Sequence, residues 1–383
     1  MKAWWLVLLP GLALGGEPIG DLHEHVTMKA ALPFLSSHLA SDPDDFLSNQ
    51  IDPEALRAAG VRVIFATVWP PVRLRPGRSA LDEAIHQLDL LRALPRRDAT
   101  FAIASNASEL EAISASGRIA LLPAVEGAEG IRKVEDVDAL FAAGARSIGL
   151  THFVDNAIGG AESGQFGSMG SLLFDGRADG LTAFGKLAVG RMMDLGIVVD
   201  VAHCSERTVE DVLQLAEAKR VPIISSHIGS GMAEARTITD DHARRIAAVG
   251  GLLGVGLYRH DALKPVPAAD RFDGFVEGTC DEAISHWVHL IHVAGAEAVV
   301  LGSDFSSPIH RGRRGGSCPD GIRNTRDLPA LFSALAKRGA KLSGSGSRII
   351  QLVRKCEAAA DPSRRSEAER LRVPRRPAFD SAL

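Results

Sequence analysis

GIVVDVAHCSERTVEDVLQLAEAKRVPIISSH, residues 196–227, reads as strand, helix, strand. Its first run, apolar and β-branched apart from Asp200, stops at His203. Ser205 then stands where a helix N-cap belongs, and Val209, Val212, Leu213 and Ala216 recur on one face of a 3.6-residue repeat. A second β-branched run ends at His227. Strands apolar at nearly every position are buried on both faces, and a helical crossover between two of them makes them parallel. The stretch is therefore a βαβ unit.

The alternation continues in both directions. Candidate strands cover residues 19–25, 61–67, 119–126, 147–152, 196–203, 221–227, 251–257 and 299–304, with amphipathic helical stretches between them. This repetition predicts an α/β fold, a closed (β/α)8 TIM barrel. An open doubly wound sheet would place a Gly-rich phosphate loop after its first strand, but DLHEHVTMKA, residues 21–30, contains no glycine. Two Gly- and Ser-rich stretches, residues 155–180 and 305–326, follow the fourth and eighth candidate strands. Both fall on the side where barrel active sites lie and suit substrate loops.

A chain of 383 residues, 46% hydrophobic and 23% charged, is long enough for one such barrel and too apolar to be disordered. The expected organisation is a secretory signal peptide over residues 1–16, a catalytic barrel over 17–357 and a mobile charged tail over 358–383. The amino terminus carries one lysine, an apolar run too short to span a bilayer, and Ala13 and Gly15 at the spacing of a signal-peptidase site. Secretion or a periplasmic location follows as an expectation, without a membrane anchor. Basic and acidic residues nearly balance, 43 against 47, with no single-sign run before the tail, which argues against nucleic acid as a partner. Cys204, Cys280, Cys318 and Cys356 show no CxxC spacing, so a structural thiolate metal site is not expected. In an exported chain Cys280 and Cys318 could pair, and the sequence does not decide this.

Ionisable residues stand where the apolar runs stop. The first strand ends in His23, Glu24 and His25, the third in Glu126, the fifth in His203, the sixth in His227 and the eighth in Asp304. Side chains alternate along a strand, so His23 and His25 point to one side and can grip one ion. Nitrogen and carboxylate donors without thiolate suit zinc or a related divalent ion with open positions for water. With Glu24 pointing the other way, the six remaining groups exceed the needs of one tetrahedral ion and serve two if Glu126 bridges them. Paired ions can share and deprotonate a water while polarising a carbonyl. Asp304 would then take that proton and hand it to the leaving group, although a ligand or N-cap role is also open to it.

The segments DLHEHV, AVEGAEGI, LTHFVDN, GLTAFGKLAVGRMMDLGIVVDVAHCSERT, VPIISSHIGS, ARTITDDHARRIAAVGGLLGVGLY, VVLGSDF and GIRNTRDLPALFSALAKRG resemble, in order and spacing, the membrane (renal) dipeptidase family of zinc metallopeptidases. The likeness covers about residues 18–352. It implies a barrel holding two zinc ions, within the amidohydrolase-like metal-dependent hydrolases, that cleaves the peptide bond of dipeptides. By the same resemblance, His23 and His25 are ligands of one ion, His203 and His227 of the other, Glu126 the bridge and Asp304 the catalytic acid/base. His152 matches a histidine that binds the substrate or the developing oxyanion, and Arg236 an arginine that holds the substrate carboxylate. A small dipeptide-like substrate is the implied partner, and a homodimer is compatible with the reading.

The chain also departs from the family pattern. His25 stands where the family usually has an aspartate, which removes one negative charge from the site and bears on metal preference. Ser306 and Ser307 replace an Asp-Gly pair, Thr237 replaces an asparagine, and residues 344–347 read Gly-Ser-Gly-Ser where a Gly-Gly-Asn-like turn is usual. Other small amides, acyl amino acids or lactones therefore stay open as substrates, as does an inactive metal-binding homologue.

Overall fold

The computed structural model describes residues 17–31, 47–48, 50–70, 78–152, 154–162, 179–228, 238–257, 280–305, 322, 324–340 and 342–370. Within these, nine strands form one sheet: β1 (Ile19–Glu24), β2 (Val61–Val68), β3 (Phe101–Ile103), β4 (Ile119–Val125), β5 (Ser147–Gly149), β6 (Val198–Asp200), β7 (Ile223–Ile228), β8 (Leu252–Val255) and β9 (Val299–Leu301). Every pairing is parallel. β2 pairs with both β1 and β4, and the order then runs β4 to β9 and back to β1. Eight strands thus close a (β/α)8 barrel, and they are the eight that the apolar runs predict. β3 is the addition. It pairs only with β4, along Ile119 to Leu121 and ahead of the point where β5 joins that edge.

Burial explains why these segments are strands. β4, β5, β6, β7, β8 and β9 are buried at every position, since the barrel interior covers one face and helices the other. The helix Glu206–Lys219 illustrates the outer layer. Ser205 caps it, accepting from the Thr208 N–H at 3.1 Å, and Val209, Val212, Leu213 and Ala216 form its buried stripe. Cys204 and Cys356 are free and buried, and burial pushes both thiols up to about 12.

Both ends of β1 are clamped. At its start the Gly20 N–H donates to Ser345 Oγ at 2.9 Å and the Gly346 N–H donates to Pro18 O at 2.8 Å. The Gly-Ser-Gly-Ser turn therefore begins the helix Ser345–Ala359 and braces the foot of the strand that carries His23. A side chain at Gly20 would meet Ile349 Cδ1 at 2.4 Å and Gly346 Cα at 3.0 Å. At the other end Asp21 Oδ1 accepts the N–H groups of His23 and Ser303, each at 3.0 Å, joining β1 to the segment after β9.

The C-terminal segment departs from the expected mobile tail. Its helix Ser345–Ala359 runs past residue 357, and Pro362–Glu369 form a further helix packed on the helices Val134–Ala142 and Ala183–Leu195. Asp361 caps it, Ala368 is fully buried, and Arg364 Nη1 reaches Asp194 Oδ2 at 2.6 Å. Polar composition hides this docking, because one alanine and charge pairs hold it rather than an apolar stripe. Residues 1–16 and 371–383 lie outside the described residues, as do most of the two long Gly- and Ser-rich connections. Among the described residues no helix is long and apolar enough to cross a membrane.

Candidate metal centre

Seven of the eight expected site residues converge at the C-terminal mouth of the barrel. His23 lies in β1 and His25 just beyond it, Glu126 follows β4, His152 follows β5, His203 follows β6, His227 lies in β7 and Asp304 follows β9. Arg236 lies outside the described residues. His23, His25, Glu126, His152, His203 and His227 are all buried.

Glu126 is the centre of the group. Its Oε1 lies 3.6 Å from His23 Nε2, 3.1 Å from His203 Nε2, 3.5 Å from His227 Nε2 and 3.5 Å from His152 Nε2. Its Oε2 lies 3.3 Å from His25 Nε2. The Nε2 atoms of His23 and His25 are 3.2 Å apart, and those of His203 and His227 are 2.8 Å apart. Two donor groups result, His23–His25–Glu126 and Glu126–His203–His227, with the carboxylate common to both. Asp304 Oδ1 sits beside the first, 3.4 Å from His25 Nε2 and 3.7 Å from His23 Nε2.

The donor chemistry fits cations. Imidazole nitrogens this close repel unless a proton or a metal ion lies between them, and nitrogen and oxygen donors without thiolate suit divalent ions. Electrostatics agree. Burial raises the pKa of Glu126 despite its hydrogen bond to His25. At His25 burial opposes the charged form, yet hydrogen bonds to Asp304 and Glu126 outweigh it and raise the imidazole to about 10. Positive charge is thus stabilised at the position where a ligand set would hold an ion.

Local backbone geometry aims these groups. His203 and Asp304 have φ values of 62° and 55°, the left-handed region, which costs on the order of 1–3 kcal/mol per residue. Hydrogen bonds hold the backbone at and beside these residues: the Asp304 N–H donates to His23 O at 2.9 Å, and Asp200 Oδ1 accepts the N–H groups of Ala202 at 3.0 Å and Ser226 at 2.9 Å.

Several participants escape sequence reading. Ser226 Oγ stands 3.0 Å from His23 Nδ1 and 2.9 Å from His227 Nδ1. The Trp69 ring lies 5.2 Å from that of His152. Glu129 accepts from the His152 N–H, and burial raises its pKa to about 8. Asp21 and Asp200, whose pKa values burial also raises, Asp21 to about 6, hold the strand ends just described. The available signal was an aspartate two or three residues before a strand-end histidine, in Asp21-Leu22-His23 and in Asp200-Val201-Ala202-His203.

A parallel barrel with histidine and carboxylate donors gathered at the C-terminal ends of its strands is the architecture of a metal-dependent hydrolase. Residues 17–360 match the model of the membrane dipeptidase family, peptidase family M19, and the chain belongs to that family. An uncharacterized dipeptidase of Schizosaccharomyces pombe is 31% identical over 266 residues. That match covers 67% of this chain and 57% of the relative, so the chain spans less than two thirds of the relative's length. Among solved structures, a metallopeptidase from Rhodobacter sphaeroides liganded with a phosphinate mimic of the dipeptide L-Ala-D-Ala is 20% identical, with a TM-score of 0.66, covering 89% of this chain and 99% of that one. The probable dipeptidase PvdM from Pseudomonas aeruginosa is 17% identical, with a TM-score of 0.66, covering 90% and 96%. Both share the fold.

Proposed function

We propose that this chain is a binuclear metal-dependent dipeptidase. The carrying observation is the carboxylate of Glu126, which belongs to both donor groups. His23 and His25 would hold one ion, His203 and His227 the other, and zinc is the ion this donor set suits. When bound, the pair would supply an activated water and polarisation of the scissile carbonyl.

The protein residues supply the rest. Asp304, at the mouth beside His25, takes the proton released as water adds to the carbonyl carbon and delivers it to the amine nitrogen as the C–N bond breaks. His152 Nε2 faces the developing oxyanion, with Trp69 packed against its ring. Arg236 holds the C-terminal carboxylate of the substrate through two parallel charge-assisted hydrogen bonds. Family membership and the dipeptide mimic on the R. sphaeroides relative support a small dipeptide as substrate.

The test compares two substrates. Arg236→Ala should lower kcat/KM for a free-carboxylate dipeptide by about ten- to several-hundredfold, from a net loss of roughly 1.5–3 kcal/mol of charge-assisted hydrogen bonding, and should barely affect the amidated dipeptide. Equal losses on both would remove the carboxylate-clamp role. Turnover of acyl amino acids or lactones but of no dipeptide would replace the substrate assignment. We further propose export directed by residues 1–16. Amino-terminal sequencing from the native host should then find a mature chain beginning close to Gly16, and retention of Trp4 and Trp5 would contradict export.

A further inference from the structure

We infer that Ser226 is a positioning residue that fixes both halves of the metal centre through one hydroxyl. The inference rests on the binuclear reading above. Ser226 Oγ lies 3.0 Å from Nδ1 of His23, in one donor group, and 2.9 Å from Nδ1 of His227, in the other.

Valence decides the directions. A serine hydroxyl has one proton and two acceptor lone pairs. Asp200 accepts the backbone N–H groups of Ala202 and Ser226, which fixes the backbone from which the hydroxyl projects. A neutral imidazole that ligates an ion through Nε2 carries its proton on Nδ1, so each ring donates from Nδ1 to one lone pair of Oγ. Both rings are thereby held in the tautomer whose Nε2 carries a lone pair, and both Nε2 atoms face Glu126. Donation of Nδ1–H to a fixed acceptor orients a metal-binding histidine and raises its basicity. Here a single acceptor does so for ligands of two different ions.

The hydroxyl cannot drift. Ser226 is buried, and a side chain at Gly254 or Gly302 would stand 1.8 or 1.9 Å from Ser226 O, so β8 and the segment after β9 close directly on this backbone. Asp200 ties the same residue to the end of β6, from which His203 follows.

Cobalt(II) titration of chelator-treated protein, followed by its visible absorption, tests the assignment. In Ser226→Ala both stepwise dissociation constants should rise by about 10–100-fold, while the melting temperature of the chelated protein stays close to that of the wild type. Ser226→Thr, which keeps the hydroxyl, should restore both constants. Unchanged constants, or a loss confined to one ion, would overturn the inference. If wild-type protein itself takes up fewer than two cobalt ions, the binuclear reading fails instead, and the two failures are distinguishable. Imidazole ¹⁵N NMR of the wild-type protein needs no variant. It should find His23 and His227 both protonated at Nδ1, and an Nε2–H tautomer at either would contradict the shared-acceptor role.

Discussion

Asp304 and His203 combine a functional side chain with left-handed backbone (φ 55° and 62°), and aspartate, asparagine and histidine tolerate that region better than most residues. Asp304→Asn therefore preserves both the backbone and the side-chain shape while removing the proton acceptor. With the histidines and Glu126 intact, the variant should keep two ions by metal analysis and lose about 10²–10⁴ in turnover. Loss of both ions together with activity would make Asp304 primarily a ligand. At this scale the sequence is informative where chemistry coincides with a strand end. His23, His25, Glu126, His203, His227 and Asp304 each interrupt an apolar run, and that is why they could be picked out. His152 and Arg236 needed the family resemblance, because nothing about an isolated histidine or arginine marks a substrate contact. Ser226 was invisible for another reason. A small polar residue inside a buried strand gains its meaning only from neighbours on other strands, in this case His23, some 200 positions away in sequence.

The elements show the same division between local and distant determinants. Most barrel strands carry their own signature, a short run dominated by apolar residues, and the N-cap Ser205 with its apolar stripe marks a helix without reference to anything else. β3 is only three residues long, too short to display a period of two, and its pairing with β4 is purely tertiary. The helix Pro362–Glu369 has a mostly polar surface, so its docking depends on partners that a local reading does not see. β1 matters most, since it carries His23, leads directly into His25 and is clamped at its foot by residues 345 and 346. Gly20→Ala would push a methyl to 2.4 Å from Ile349 Cδ1 and 3.0 Å from Gly346 Cα. Overpacking of this kind costs about 1–3 kcal/mol. Urea denaturation should show a lower midpoint at unchanged slope, and the variant should also bind metal more weakly because the foot of the ligand-bearing strand is displaced. An unchanged midpoint would mean that the Ser345–Ala359 helix yields without cost.

For the molecule as a whole, closure of eight parallel strands places the ends of β1, β4, β6, β7 and β9 around one carboxylate. Fold and site thus depend on each other: ions bound as proposed, by residues from opposite sides of the barrel, would stabilise the folded state by about 4 kcal/mol at a thousandfold excess over the dissociation constant. Chelation should lower the melting temperature as well as abolish activity, and the two effects should return together on adding zinc. The most direct test of the binuclear account is a titration of chelator-treated protein with zinc, reading activity and bound metal at each step. The account predicts that activity rises to its maximum at two equivalents of bound zinc per chain. Full activity in protein containing one ion or fewer would contradict it.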